Sequence, residues 1–155
     1  MHPYGATSSE APDTPHPSGT TIGFADYDKL VELLGEAFDG TAQEGSTIPI
    51  LYSEYGIDSI IPPEKAHLYQ GSELAGTKSV PEEIQGAYYQ RAFELAACQP
   101  TVVGVILFQV TDETDLARWQ SGIHYPDRKE EVGGPKKSQP IVKEAIREVR
   151  NGFRC

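Results

Sequence analysis

The sequence predicts an α/β fold in which parallel strands alternate with amphipathic helices. A short apolar, β-prone stretch lies within 46–56, and the run at 101–110 is continuously apolar and β-branched without alternation. Such a run is typical of a parallel strand covered on both faces. Segments with apolar residues at helical spacing precede, separate and follow the two runs, which favours right-handed βαβ units and one parallel sheet. A chain of 155 residues suits a single domain, 1–155.

Start and stop signals place three helices along the chain. Asp26 stands where an N-cap would precede the first helix. Ser79 and Glu82 have the spacing of a capping box at the start of the second helix. Ser138 is predicted to cap the third helix, and Gly152 is predicted to end it.

The long connections follow strands and predict one functional face. Residues 5–21 and 111–137 are interpreted as long βα loops, and in α/β folds the chemistry gathers at the carboxyl ends of strands. A third strand is expected to end within 1–4. Because two or three strands cannot close a barrel or form a well-covered doubly wound sheet, we expect the chain to be the C-terminal part of a larger protein.

Charge and hydropathy argue against two classes of partner. The formal net charge is −10 and no basic stripe exists, so nucleic-acid binding is not expected. No stretch approaches the roughly 18–20 apolar residues that cross a bilayer, so no membrane span is expected. Residues 1–20 lack the features of a signal peptide, and localisation stays open because an export signal would lie upstream.

Histidine and cysteine spacing gives no sign of a metal site or a disulfide framework. The four histidines form neither an HxH nor an HExxH pattern, so no metal is expected. Cys98 and Cys155 lie in no CxxC context. We expect Cys98 to be a small buried apolar residue at a helix end and Cys155 to be a mobile terminal residue.

The first predicted strand ends on a carboxylate. Glu54 arrives just before Gly56 ends the apolar run. Regular alternation would place Tyr52 and Glu54 on one face of the strand, with Ser53 and Tyr55 on the other. A Glu after a strand is most often a solvated loop residue, so the interpretation of Glu54 depends on the motifs around it.

Four short motifs follow one another in a recognisable order. The chain opens on His2, Pro3 and Tyr4 before its first long loop, and the stretch ILYSEYG carries Glu54. The second strand leads to a loop with the single Trp, Trp119, and SGIHYPD precedes the exit into the last helix. Together these motifs resemble the retaining β-glycosidases of the cellulase and xylanase superfamily, from the end of strand six to helix eight of a (β/α)8 barrel.

The resemblance implies a fold, an activity and a set of site residues. The fold would be the C-terminal half of a partial (β/α)8 barrel. Glu54 would be the catalytic nucleophile, and His2, Tyr4 and Trp119 would bind a carbohydrate substrate. As in that family, the reaction would be cellulase-like hydrolysis of O-glycosyl bonds in β-linked saccharides, with retention and without a metal or organic cofactor.

One departure from the family limits the expected activity. The family's acid/base Glu follows an Asn at the end of strand four, and nothing before His2 supplies it. We therefore expect little or no hydrolysis by this chain alone, and self-association through exposed strand edges. The alternative is a small non-catalytic α/β binding or interaction module. Asp112, Glu113 and Asp115 are interpreted as solvated loop charges, with binding of sugar hydroxyls as the minority interpretation.

Overall fold

Two strands and three α-helices are the main regular elements of the computed structural model, which describes residues 1–129 and 131–155. In chain order they are α1 (Tyr27–Phe38), β1 (Ile50–Tyr55), α2 (Glu82–Ala97), β2 (Val102–Leu107) and α3 (Ser138–Arg150). Among the described helices, none is long and apolar enough to cross a membrane. The predicted loop 111–137 contains Glu130, which lies outside the described residues.

The two strands pair in parallel, as the sequence predicts. On the other edge of β1, the amino group of Met1 donates to the carbonyl oxygen of Leu51 over 3.0 Å. The Ser53 N–H donates to the carbonyl oxygen of Met1 over 2.9 Å. This alternation of bonds is the pattern of a parallel strand. The chain start therefore lies where the expected third strand would end, beside β1.

The helices pack against one face of the sheet and form the core with it. Tyr52 and Tyr89 are fully buried there, and α2 packs along α3. The buried members of this core come from β1, α2, α3 and the segments beside them: Phe24, Ile50, Tyr52, Tyr55, Ile57, Val80, Tyr89, Ala92, Phe93, Ala96, Val142 and Ala145. Burial of these apolar and aromatic side chains is the main source of stability for the α/β arrangement.

The expectation that β2 is covered on both faces is wrong for the part of the chain described here. Leu51 and Ile106 are exposed apolar residues of the two strands. The described helices cover the face that carries Tyr52 and Val105, and no described element covers the other. Within the described residues the sheet has two strands and forms no barrel, so the fold is mixed α/β with a small parallel sheet.

The start of α2 differs from the predicted capping box. The helix begins at Glu82, and the Ser79 hydroxyl donates to the carboxylate of Glu73 instead of to the helix. Glu82 turns its buried carboxylate toward the third helix, where it accepts hydrogen bonds from the Tyr125 hydroxyl and from the Lys137 N–H. Two nearby partners with fixed geometry therefore outcompete the local cap.

The other two helices agree with the sequence more closely. Asp26 immediately precedes α1, although its side chain makes no cap hydrogen bond. Ser138 is the first residue of α3 and not its cap. Gly152 follows α3 with φ of +93°, the left-handed conformation that glycine adopts at helix ends.

Cys98 and Cys155 form a disulfide, which corrects the prediction of a buried free thiol and a mobile terminus. Cys98 is exposed at the end of α2, and the two Cα atoms lie 5.4 Å apart. Because α2 and α3 pack side by side, the tail after α3 returns to the end of α2. The separation of 57 positions between the cysteines hides this proximity in the sequence.

Candidate functional site

A cavity of about 280 Å³ lies at the carboxyl ends of the two strands. Its walls come from segments that are distant in sequence: residues 4–8, Glu54 near the end of β1, residues 56–58 after β1, residues 76–77, and Phe108, Trp119 and Ser121 after β2. In parallel α/β folds this is the end of the sheet where ligands bind. The position agrees with the functional face that the long loops predict.

Glu54 lies in this cavity beside two residues of the N-terminal motif, Tyr4 and His2. The Tyr4 hydroxyl donates a hydrogen bond to Glu54 Oε1 over 3.0 Å. His2 Nδ1 lies 3.6 Å from the same oxygen. Burial and the neighbouring carboxylate of Glu54 together raise the pKa of Tyr4 above its ordinary value, so Tyr4 stays a hydrogen-bond donor.

A register irregularity in β1 turns Glu54 toward the cavity. The ring of Phe24 lies 4.8 Å from that of Tyr52 and 4.7 Å from that of Tyr55, so both tyrosines face the helices. Regular alternation would separate them, but the pairing with β2 shifts between Tyr52 and Tyr55. The prediction that Tyr52 and Glu54 share a face is therefore wrong. Glu54 instead points to the side from which Tyr4 approaches.

Trp119 lies in the wall of the same cavity, against an aromatic residue that sequence reasoning missed. Its indole packs edge-on against Phe108, with ring centroids 6.0 Å apart. Trp119 is 51% exposed, so much of its surface remains open to a ligand. Phe108 follows directly after β2 and looked like a strand residue in the sequence. Its place in the cavity depends on where β2 ends.

Asp58 is a second carboxylate in the wall, and sequence reasoning missed it as well. It is buried, with Oδ1 accepting from the Gln120 N–H over 2.7 Å. The Ser8 hydroxyl donates to Asp58 Oδ2 over 3.4 Å and accepts from the Asp58 N–H over 3.0 Å. Burial raises the pKa of Asp58 above its ordinary value. In the sequence Asp58 resembles any loop aspartate.

Beneath this wall lies a buried ionic cluster that the sequence did not reveal. Lys136 Nζ contacts Asp112 Oδ2 at 2.6 Å, and also donates to Ser59 Oγ and to the carbonyl oxygen of Gln120. The Tyr69 hydroxyl donates to Asp112 over 2.6 Å. Burial raises the pKa of Asp112 and lowers that of Lys136. Asp112 is therefore not the solvated loop charge that its acidic neighbours suggest.

The chemistry available in the cavity follows from these groups. Glu54 offers a partly exposed carboxylate with a fixed hydrogen-bond donor, which suits a nucleophile or a base. Trp119 and Phe108 offer an apolar surface, and His2 offers a polar ring beside Glu54. Among residues 1–129 and 131–155, no group of three or more His, Cys, Asp or Glu side chains is placed to hold a metal ion.

Fold and site together define a mixed α/β protein with a carboxylate and two aromatic rings in a cavity at the carboxyl ends of its parallel strands. No protein-family model matches the chain, and comparisons with curated proteins and with solved structures find no similar protein. The proposals below therefore rest on the residues of this chain.

Proposed function

We propose that the cavity is part of the active site of a retaining glycoside hydrolase and that Glu54 is its nucleophile. The observation that carries this proposal is the hydrogen bond from Tyr4 to Glu54 in a cavity walled by Trp119. A nucleophilic carboxylate must be held in one orientation, and a tyrosine hydroxyl on a neighbouring segment restrains it. Saccharides present both hydroxyls and apolar ring faces, which suit this mixture of polar and aromatic groups.

In the proposed reaction, a carboxylate oxygen of Glu54 attacks the anomeric carbon of a β-linked saccharide. A bond forms between that oxygen and the sugar, while the glycosidic bond breaks and its electron pair leaves on the aglycone oxygen. Tyr4 orients the carboxylate, His2 binds a sugar hydroxyl, and Trp119 packs against a sugar ring. Water then hydrolyses the glycosyl ester and restores Glu54.

The proton donor is not assigned to this chain. In retaining enzymes the second carboxyl lies about 5–5.5 Å from the nucleophile. Asp58 is the other carboxylate in the described wall, but its two oxygens already accept from Gln120 and Ser8. We assign Asp58 a structural role. Unactivated glycosides are therefore expected to react slowly or not at all with this chain alone.

We further propose that the chain forms the C-terminal part of a (β/α)8 barrel. The chain start, β1 and β2 lie side by side in that order, which is the order of consecutive barrel strands. The exposed sheet face that carries Leu51 and Ile106 would then be the face toward the barrel interior. This arrangement supports the proposal, since it leaves space for further strands beside β2.

Labelling with an activated glycoside tests the nucleophile without needing the proton donor. We would incubate the protein with 2,4-dinitrophenyl 2-deoxy-2-fluoro-β-glycosides of glucose, xylose, mannose and galactose. Dinitrophenolate leaves without protonation, and the fluorine slows hydrolysis of the glycosyl ester. Intact mass spectrometry should show one added glycosyl group, and peptide mapping should place it on Glu54.

Two variants make the outcome specific. Glu54→Gln should abolish labelling, because the amide is not a nucleophile. Glu94→Gln is the matched control: Glu94 lies on α2, accepts hydrogen bonds from Gln90 and Arg91, and does not line the cavity, so labelling should persist. A label on another residue, or equal labelling of the Glu54→Gln variant, would overturn the assignment.

A non-catalytic saccharide-binding module is the second candidate. The observation that favours it is the double hydrogen bonding of Asp58, which leaves Glu54 without a free partner carboxyl in the described wall. This candidate predicts saturation-transfer NMR signals from the same glycosides, loss of those signals in Trp119→Ala, and no covalent adduct at Glu54. Adduct formation would exclude it.

A further inference from the structure

A histidine in the first long loop lies between two carboxylates. His16 Nδ1 is 2.7 Å from Asp26 Oδ2, and His16 Nε2 is 2.6 Å from Glu10 Oε1. His16 and its two partners are largely shielded from solvent, with at most 21% of any of these side chains exposed. Neither the proposed reaction nor the core uses this cluster.

The two contacts define the protonation state of the ring. An ionised carboxylate only accepts hydrogen bonds, so both ring nitrogens must donate, and only the imidazolium can donate twice. The hydrogen bond to Asp26 raises the pKa of His16 above its ordinary value, against the opposing effect of burial, and Glu10 adds to the rise. Geometry and charge therefore both favour a cationic His16.

Asp26 is held firmly, whatever the state of the ring. Its carboxylate also accepts from the backbone N–H groups of His16 and Gly23, over 2.6 and 2.8 Å. Burial alone would raise the pKa of Asp26, but these hydrogen bonds outweigh burial and lower it. When His16 loses a proton, the remaining N–H should stay with Asp26, and the contact with Glu10 should fail.

Glu10 connects the cluster to the cavity wall. The same Oε1 atom that meets His16 accepts a hydrogen bond from the Ala6 N–H over 3.3 Å. Glu10 also packs on Gly5 so closely that a Cβ there would lie 2.6 Å from Oε1. Gly5 and Ala6 line the cavity next to Tyr4.

Lys29 on α1 is another charged group that faces this part of the loop, and Arg91 on α2 pairs with Asp13 in the same loop. The ammonium of Lys29 donates to the carbonyl oxygens of His16, Gly19 and Thr21, over 2.9, 2.9 and 3.1 Å, and not to the carboxylates. Lys29 therefore fixes residues 16–21 independently of the histidine proton. The link that can change with pH is the contact between His16 and Glu10.

We propose that the imidazolium of His16 is a positioning residue that holds the cavity wall at Gly5 and Ala6 through Glu10, and that the wall loosens as the pH rises. The folded protein binds this proton more tightly than the unfolded chain. The stabilisation is therefore complete below about pH 6.5, the ordinary pKa of histidine, and is lost as the pH rises through the higher pKa of the folded state. The proposal rests on the proposed function only in treating the cavity as the substrate site.

NMR titration of the whole chain tests the proposal without any saccharide. The His16 ring should titrate above pH 6.5, and the amide shifts of Gly5 and Ala6 should follow the same midpoint. In Glu10→Gln, the midpoint of His16 should fall by about one unit because one negative charge is lost. The pH-dependent shifts of Gly5 and Ala6 should then be lost. His16→Gln should abolish those shifts while keeping the circular dichroism spectrum.

His67→Gln is the matched control. His67 also contacts a carboxylate, that of Glu131 at 2.8 Å, but it is exposed and does not line the cavity. Its replacement should leave the Gly5 and Ala6 titration unchanged. A His16 midpoint at or below 6.5, or wall shifts that persist in Glu10→Gln, would overturn the proposal. Failure of Glu54 to be labelled leaves this result intact, since the titration needs no substrate.

Discussion

Lys136 and Asp112 form an ion pair in the interior of the protein, with Nζ 2.6 Å from Oδ2 and both side chains 0% exposed. The pair joins the start of α3 to the loop after β2, and Lys136 also binds Ser59 after β1. Gln120, whose carbonyl oxygen accepts from Lys136, donates its N–H to Asp58 in the cavity wall. One buried cation therefore holds together the loops that build the site.

Lys136→Met should destabilise the protein by about 3–5 kcal/mol, because it leaves the carboxylate of Asp112 buried without its counter-ion. Urea unfolding followed by circular dichroism measures the loss. Adding Asp112→Leu should recover part of it, since removing both charges also removes their desolvation cost.

The neighbouring Lys137 supplies the control. Its ion pair with Glu83 is exposed on both sides, so Lys137→Met should leave the unfolding midpoint nearly unchanged. Equal losses of stability in Lys136→Met and Lys137→Met would show that the buried ion pair contributes no more to stability than the exposed one.

Gly56→Ala should cost about 1–3 kcal/mol and distort the cavity, because overpacking strains a closely packed wall. A Cβ on Gly56 would lie 2.9 Å from both side-chain atoms of Ser121. Gly104→Ala is the control, since its Cβ would meet only the flexible end of Leu51 at 3.3 Å. Unfolding free energies and labelling rates at Glu54 should both fall in Gly56→Ala. Comparable effects in Gly104→Ala would contradict the packing argument.

Reducing the disulfide should destabilise the protein by about 2–4 kcal/mol, because it frees the unfolded chain from a long closed loop. Dithiothreitol should lower the melting temperature, and Cys155→Ser should lower it equally and remove its dependence on reductant. Mass spectrometry of the non-reduced digest should find the peptide that joins Cys98 to Cys155. Two free thiols in protein purified under air would refute the pairing.

The open sheet face is expected to drive self-association. Leu51 and Ile106 are 42% and 50% exposed on this face, and the outer edge of β2 is unpaired in the described chain. The double variant Leu51→Lys and Ile106→Lys should shift sedimentation toward the monomer while changing stability by about 0.5 kcal/mol or less.

Val132→Lys controls for the effect of added positive charge on association, because each added lysine makes the net charge of −10 less negative. Val132 is 78% exposed and lies in the loop before α3, away from the sheet. Its replacement should leave the sedimentation profile unchanged. If it disperses the protein as well as the double variant does, general charge and not the sheet face controls association.

The elements of the fold were largely visible in the sequence. Apolar runs and helical spacing placed both strands and all three helices, because each pattern reflects burial on one side of a local element. Helix ends were predicted less accurately. Ser79 and Glu82 have the spacing of a capping box, yet Glu82 accepts hydrogen bonds from Tyr125 and Lys137, which lie 43 and 55 positions later in the sequence. Local patterns do not report such distant competitors.

The candidate site was visible only in part. Motif order suggested His2, Tyr4, Glu54 and Trp119, and the structure brings His2 and Tyr4 to Glu54 and places Trp119 in the wall of the same cavity. Their roles in catalysis and binding stay predictions. Phe108 and Asp58 were missed, since nothing in the neighbouring residues marks them as cavity walls.

By itself, the sequence determined the α/β class, the parallel strands and the carboxylate at the end of β1, because local periodicity and composition encode which side of each element is buried. Only the tertiary structure decided that Glu54 faces Tyr4 and not Tyr52, that Asp112 pairs with Lys136, and that Cys98 meets Cys155. Each of these depends on contacts between residues more than 20 positions apart. Such contacts arise from the summed geometry of the whole chain, which no short stretch of sequence contains.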